Sequence, residues 1–300
     1  MEPYWTDGER TIYHGDCMQV LPLLADASVD MIFCDPPYGL EFNQTDLASR
    51  WEAALGRGDS GDPRPIANDS LEWFARSLPR IFRHFPRLLK RGGCCCCCCG
   101  GGGGPRPIFA EMTMMLDGTP GLSFKQAVVW DKRGLGMGWH YRPSYEFVLV
   151  AQKKGGPCRW FGGKKQSNVV RIPRIIPRAD QHPTEKPIEL PEMFIRLHSE
   201  PGDLVLDCFM GRGSTGVAAK RLGRRFIGIE VEERYCADGA GRMGAQHLQV
   251  AGGGHLFAGM LAGDASELAG QLALFGEGDN GKAARRESRR DETAEVLLNS

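Results

Sequence analysis

No apolar run in the 300-residue chain approaches the length needed to span a bilayer. The amino terminus also lacks the basic, apolar and small-residue succession of a secretory signal. Both absences predict a soluble cytoplasmic protein with no membrane partner. No charge of one sign dominates, because 37 Lys and Arg balance 37 Asp and Glu. That average singles out no partner, although it conceals a local excess. A disulfide framework is excluded as well: the cysteines number eleven, an odd count, and six of them are consecutive. Nor does that run, Cys94 to Cys99, suit a metal. Adjacent strand residues point to opposite faces, and metal ligands are normally separated by two or more residues, so no metal is expected.

The chain does have enough apolar material, 42%, to bury a substantial core in one large or two modest domains. A free cysteine behaves as a small buried hydrophobe, so Cys94 to Cys99 reads as a central strand buried on both faces. Other strand candidates are Thr11 to His14, Val29 to Cys34, Ala127 to Trp130, Glu146 to Ala151, Leu204 to Asp207 and Phe226 to Glu230. Helical stretches fall at Cys17 to Leu24, Leu71 to Lys90, Pro107 to Leu116, Ile188 to His198, Thr215 to Leu222 and Glu232 to Leu248. Pro79 and Pro86 predict a kink or a break in the second of these. The alternation implies an α/β fold with a mostly parallel sheet and helices on both faces. The segment from Asp131 to Tyr145 has no crossover helix, so its flanking strands are expected to be antiparallel.

Asp35-Pro36-Pro37-Tyr38 follows the apolar run Val29 to Cys34. It therefore sits at the carboxyl end of a buried strand, the edge where open α/β sheets bind ligands. Two prolines stiffen the backbone and remove two donors. An acid, fixed carbonyls and an aromatic ring suit the gripping of a flat group that carries an NH2. The same tetrapeptide is also a serviceable strand-ending turn, so its function depends on context.

That context lies downstream. After Leu204 to Asp207 comes Cys208-Phe209-Met210-Gly211-Arg212-Gly213-Ser214-Thr215-Gly216, a glycine turn leading into a helix with Ser214 or Thr215 as its cap. Such a turn admits a nucleoside close to the backbone. The next apolar run ends in Glu230, placed as an acid that binds a ribose diol.

Together these blocks resemble the amino-methylating DNA methyltransferases, which act on N6 of adenine or N4 of cytosine. The family signature (D/N/S)PP(Y/F) stands as Asp35 to Tyr38. The cofactor loop, usually close to DPFxGSGTT, stands as Asp207 to Thr215. His182-Pro183-Thr184-Glu185-Lys186-Pro187 looks like the HPTxKP segment, and Tyr13-His14-Gly15-Asp16-Cys17 looks like the strand-end acid beside the cofactor's adenine. The order of the blocks is that of the family's β group, over roughly residues 10–245.

The resemblance implies a Rossmann-like sheet of about seven strands, S-adenosyl-L-methionine as cofactor and double-stranded DNA as partner. It implies Asp35, Pro36, Pro37 and Tyr38 as catalytic residues. It further implies Asp16, Lys186, Asp207, Phe209, Gly211, Gly213, Ser214, Thr215 and Glu230 around the cofactor, with Lys186 reaching its carboxylate. Two departures stand out: Cys208 replaces the usual proline, and Arg212 sits between the two glycines. A cation close to a sulfonium is unfavourable, so Arg212 is expected to point outward. An aspartate in the first signature position leans toward adenine, with N4 of cytosine as the alternative.

Residues 1–250 are read as the catalytic domain. Within it, residues 41–70 form an insert expected to be a lid over the target base. Residues 151–181 form a small target-recognition region with eight basic residues and one acid, Asp180. Lys153, Lys154, Arg159, Lys164, Lys165, Arg171 and Arg174 are its candidate phosphate contacts, and Trp160 and Phe161 could stack on bases. The bland alternative is a solvated basic loop. Residues 251–300 read as a disordered tail. It contains Gln271-Leu272-Ala273-Leu274-Phe275, which resembles the pentapeptide that docks bacterial DNA enzymes on the sliding clamp. A monomer or a homodimer is compatible with these features.

Rival readings have weaker support. Pro157-Cys158 supplies the dipeptide of C5-cytosine methylation, but no base near it is evident and no apolar strand precedes it. RNA or protein-glutamine methylation shares the NH2-gripping chemistry but usually carries asparagine at the first signature position and the opposite block order. A non-catalytic DNA-binding module would need a broken cofactor loop.

Overall fold

Val29–Cys34 is apolar apart from Asp30, with Val29 and Ile32 β-branched, and all six residues are buried. This strand, β3, is at the middle of a nine-stranded sheet in the computed structural model, which describes residues 1–39, 67–100, 107–136, 141–175 and 185–244. The other strands are β1 (Trp5–Thr6), β2 (Arg10–His14), β4 (Leu89–Gly100), β5 (Leu122–Asp131), β6 (Tyr145–Lys153), β7 (Val169–Arg171), β8 (Leu204–Asp207) and β9 (Arg225–Glu230). Their order across the sheet is β1-β2-β9-β8-β3-β4-β6-β5-β7. Only β1 and β6 run against the rest. All seven predicted strands are present, and β5 and β6 are antiparallel as expected. The two additional strands, of two and three residues, lie at the sheet's edges, where a short pairing leaves little periodicity to read.

Helices α1 (Cys17–Val20), α2 (Leu71–Phe82), α3 (Phe85–Leu88) and α4 (Ile108–Asp117) contribute to the core on one face of the sheet. Helices α5 (Glu189–His198), α6 (Ser214–Arg221) and α7 (Glu233–Gly244) contribute to the core on the other. The cysteine strand divides between these two cores. Cys95, Cys97 and Cys99 join one, while Cys96 and Cys98 join the other. Burial holds the Cys96 and Cys98 thiols well above their ordinary pKa, so both remain neutral filling. Among the described residues, no group of three or more His, Cys, Asp or Glu could hold a metal ion. Nor is any helix there long and apolar enough to cross a membrane.

The predicted helix from Leu71 to Lys90 is two pieces. Pro86 occupies the first turn of α3, where its missing N–H costs nothing, and Leu89 and Lys90 belong to β4 rather than to a helix. Residues 41–66 of the 41–70 insert, the tail 251–300 and the clamp-like pentapeptide 271–275 within it lie outside the described residues, as do Arg178, Asp180 and His182 to Thr184.

One topological feature positions the site. From β3 the chain proceeds to β4 on one side; from β8 it proceeds to β9 on the other. Yet β3 and β8 are neighbours, with Met31 opposite Val205 and Ile32 opposite Leu206. Connections that diverge from adjacent parallel strands leave a crevice at the strands' carboxyl ends, and ligands of such sheets bind there.

Candidate active site

The crevice is flanked by the two blocks that the sequence singles out. Asp35 follows the last residue of β3 and Cys208 the last residue of β8. The Cys34 thiol meets those of Cys97 and Cys208 just beneath them.

Asp35 is half-buried and doubly engaged. Its Oδ1 accepts the Tyr38 phenol proton, and its Oδ2 accepts a hydrogen bond from Lys186 Nζ at 2.6 Å. Lys186 is also 3.3 Å from the Tyr38 hydroxyl and 3.5 Å from Glu146 Oε2. Lys132 Nζ donates to Glu146 Oε1 at 3.0 Å. Burial pushes the Tyr38 phenol well above its ordinary pKa, and the Asp35 charge pushes it the same way, so Tyr38 donates to Asp35 as a neutral phenol. Burial alone would depress the Lys186 ammonium, but Asp35 and Glu146 outweigh it and raise its pKa. Burial would likewise raise the Glu146 carboxyl, and Lys186 and Lys132 hold it below the ordinary range instead. The Tyr38 ring lies against Gly100 at the end of β4; a Cβ there would stand 3.7 Å from the ring.

The glycine turn is held from below. Asp207, 3% exposed, accepts from Phe209 N–H at 3.0 Å and from the Thr215 hydroxyl at 2.6 Å. Both carboxylate oxygens are thus committed to bracing the turn. Burial raises the Asp207 pKa to about 7, against the opposing pull of those two donors. Gly213 has φ +80° and caps α6 with its backbone alone. The expected side-chain cap from Ser214 or Thr215 is not made, since both residues lie inside the first turn and Thr215 is turned to Asp207. Gly211, at φ +52°, has open space where a Cβ would stand. Its N–H donates to Glu230 Oε2 at 2.7 Å, and Glu232 N–H donates to Oε1 at 2.8 Å. Asp16 caps α1 by accepting from Met18 N–H at 2.8 Å. Gly15 N–H reaches the Glu230 carbonyl at 2.8 Å, so the two acids stand at adjacent strand tips. Phe209 is half-buried and edge-on to Trp73, with ring centroids 6.1 Å apart.

The two departures in the loop are accommodated. Cys208 is buried. Arg212, expected to point outward, is mostly buried and paired. Its guanidinium donates to Asp238 at 2.8 Å and to Glu185 at 3.1 Å, and two carboxylates thereby cancel its charge.

The basic segment is divided by the sheet. β6 runs against its neighbours, so Lys153 at its end lies at the sheet's amino edge, opposite Asp35, with its Nζ on the Leu89 carbonyl at 2.6 Å. Arg159, expected to contact phosphate, is instead committed to an ion network at that edge. It pairs with Asp30, which is 1% exposed, and with Asp203 at 2.6 Å. Lys90 at 2.8 Å and Leu204 N–H at 2.9 Å complete the shell of Asp30. Trp160 packs edge-on to His198, and Phe161 N–H bonds the Leu197 carbonyl. Both aromatics therefore lie at the end of α5, away from the crevice. Cys158 is there too, its sulfur 4.0 Å from that of Cys94. Lys154, Lys164 and Lys165 are exposed on the path between β6 and β7. Among the described basic residues of the segment, only Arg171 and Arg174 return to the carboxyl edge. Arg171 is 3.6 Å from Asp131, and Arg174 N–H bonds the Lys132 carbonyl.

A family model for DNA methylases, N6_N4_Mtase, matches residues 29–240. The chain belongs to the N6/N4 DNA methylase family. This methylase is 28% identical over 275 residues to the DNA adenine methyltransferase YhdJ of Escherichia coli K12, covering 81% of this chain and 83% of the relative. It is 29% identical to the type II methyltransferase M2.DpnII of Streptococcus pneumoniae, covering 82% and 94%. Among solved structures, the M1.HpyAVI–SAM complex superposes with a TM-score of 0.54 at 26% identity, covering 78% of this chain and 99% of that one. The cytosine-N4-specific PvuII methyltransferase shares the fold, with a TM-score of 0.63 at 19% identity, covering 83% and 91%.

Sequence reasoning missed Glu146 and Lys132 as members of the methylase's site. A signal was available, since Glu146 is a lone acid at the mouth of an otherwise apolar strand.

Proposed function

We propose that this DNA methylase transfers a methyl group from S-adenosyl-L-methionine to N6 of a flipped adenine at a specific DNA site. One observation carries the reading: the Asp35–Tyr38 acceptors and the Gly211–Gly213 turn flank a single crevice on adjacent strands. The aspartate in the first signature position favours adenine, and the adenine methyltransferase YhdJ among the relatives supports the same base.

The residues fit the cofactor. Gly211 leaves open space for a close approach, and Glu230 and Asp16 stand where a ribose and an adenine would be met. Bound S-adenosylmethionine supplies the electrophilic methyl group. The protein's part begins with extrusion of the base, which costs about a few kcal/mol. Tyr38 stacking offsets about 1–3 kcal/mol of that. The Asp35 carboxylate and the Pro36 carbonyl each accept a hydrogen bond from the amine. They fix the nitrogen and localise its lone pair, and as acceptors they act most strongly where positive charge grows on nitrogen. Arg171 and Arg174 are the basic residues best placed to meet phosphate at this edge.

The methylase is read as a cytoplasmic monomer or homodimer, with segment 271–275 as a tether to the sliding clamp. Fluorescence anisotropy of a labelled 268–278 peptide tests the tether, and no binding at millimolar clamp removes it. Nucleoside mass spectrometry of DNA methylated by the purified enzyme tests the main reading. N6-methyladenine is expected; N4-methylcytosine alone would replace the target base, and no methylated nucleoside at all would remove the activity.

A further inference from the structure

The Asp35 Oδ2 atom that should receive the target amine already holds an ammonium, that of Lys186 at 2.6 Å. One nitrogen donor thus fills the place of another. A cation left beside an amine that gains positive charge opposes methyl transfer, so Lys186 cannot remain there during the reaction. The structure offers it a second position. Glu146 Oε2 is buried without a hydrogen-bond partner and lies 3.5 Å from Lys186 Nζ. Turning the ammonium from one carboxylate to the other would shorten that pair into hydrogen-bond range and lengthen its contact with Asp35. The other Glu146 oxygen is held by Lys132 at 3.0 Å, which fixes the carboxylate in place.

We infer that Lys186 is a place-holding cation on Asp35, drawn onto Glu146 when the target amine arrives, and that Glu146 is the positioning residue that makes this exchange possible. The inference rests on the reading of Asp35 as the amine acceptor. Without a base, the ammonium holds the Asp35 carboxylate correctly turned. With a base bound, Glu146 takes the ammonium, and Asp35 Oδ2 is released to the amine. No covalent bond is made or broken; the Lys186–Asp35 hydrogen bond is lost, and hydrogen bonds from Lys186 to Glu146 and from the amine to Asp35 are gained.

Duplexes carrying either adenine or purine at the target position separate this device from mere structural support, because purine has no amine to claim Asp35. In full-length Glu146→Gln, the affinity for adenine duplex with cofactor analogue present is expected to fall about tenfold, whereas the affinity for purine duplex stays within about twofold. Lys186→Met is expected to bind adenine duplex at least as well, relative to purine duplex, as the parent does. Adding Glu146→Gln to it should change nothing further. Equal losses on both duplexes, or additive losses in the double variant, would overturn the inference. Should Glu146→Gln fail to fold, the duplex preference of Lys186→Met decides alone: a reduced preference for adenine refutes the place-holder. Asp35→Ala separates the two levels of argument. If it is inactive while Glu146→Gln treats both duplexes alike, only the exchange is wrong; if it turns over normally, the amine-acceptor reading itself is wrong.

Discussion

Arg212, in the glycine turn after β8, donates to Glu185, the residue immediately before Lys186, across 3.1 Å. Glu185 also meets Arg242 at 2.9 Å and the Ser214 hydroxyl at 3.4 Å. The segment that carries Lys186 to Asp35 is thereby tied to the glycine turn proposed to meet the cofactor. Both partners are mostly buried, with side-chain exposures of 17% and 9%. Breaking one side leaves a poorly hydrated charge, which costs more than removing the pair. Glu185→Gln is expected to weaken cofactor binding about tenfold by calorimetry. The Arg212→Met, Glu185→Gln double variant should recover part of that loss, with a coupling of about 0.5–3 kcal/mol. Strictly additive losses would show that the two residues act independently.

Asp35→Ala should reduce turnover by about a hundredfold or more, the range found when one preorganised hydrogen-bonding group is removed. Cofactor affinity should hardly move, because Asp35 follows β3 while the glycine turn follows β8. Radiolabel transfer into duplex DNA and equilibrium binding of the cofactor measure the two effects separately. A large loss of cofactor affinity would mean that the turn itself depends on Asp35.

What was legible in the sequence follows from physical range. Val29–Cys34 and Cys94–Cys99 are buried on both faces, so apolarity alone marks them. The Asp35 and Gly211 blocks are local signals whose meeting needs only adjacent parallel strands. Arg159 is different. Its basic neighbourhood resembles a phosphate-contact surface, but its partners Asp30 and Asp203 are 129 and 44 positions away, and no local pattern announces them. The reversed direction of β6 also moved half the basic segment to the wrong edge, although the antiparallel pairing itself was expected. Glu146 differs: it stands out locally as a lone acid on an apolar strand, but its role depends on Lys186, 40 positions away, as well as on Lys132.

This division of the basic segment has a measurable consequence. Arg159→Ala should destabilise the fold by about 3 kcal/mol, the lower end for a broken buried pair, because Lys90 still covers Asp30. Thermal denaturation should show it as a fall of about 6–12 °C. DNA affinity, measured well below that transition, should be unchanged. Arg171→Ala and Arg174→Ala should do the reverse. Each should leave the melting temperature within about a degree, since surface changes usually stay within about 0.5 kcal/mol. Each should also reduce the slope of log affinity against log salt by about 1. A salt slope altered by Arg159→Ala would return that residue to the DNA surface.

Asp207 gives a pH signature. Burial is the main cause of its raised pKa, about 7 against an ordinary 3.8. A carboxyl whose folded pKa exceeds its unfolded value favours folding while protonated. Its contribution is complete below about pH 4 and is lost as pH rises to about 7. Asn in its place stays neutral throughout and can still accept from Phe209 N–H. The melting temperature of Asp207→Asn relative to the parent should therefore rise between pH 5 and pH 8, by about 2–4 °C for each kcal/mol relieved. Scanning calorimetry at those two pH values measures the difference. A gap that does not change with pH would mean that Asp207 is already ionised at pH 5, with the Thr215 and Phe209 donors outweighing its burial.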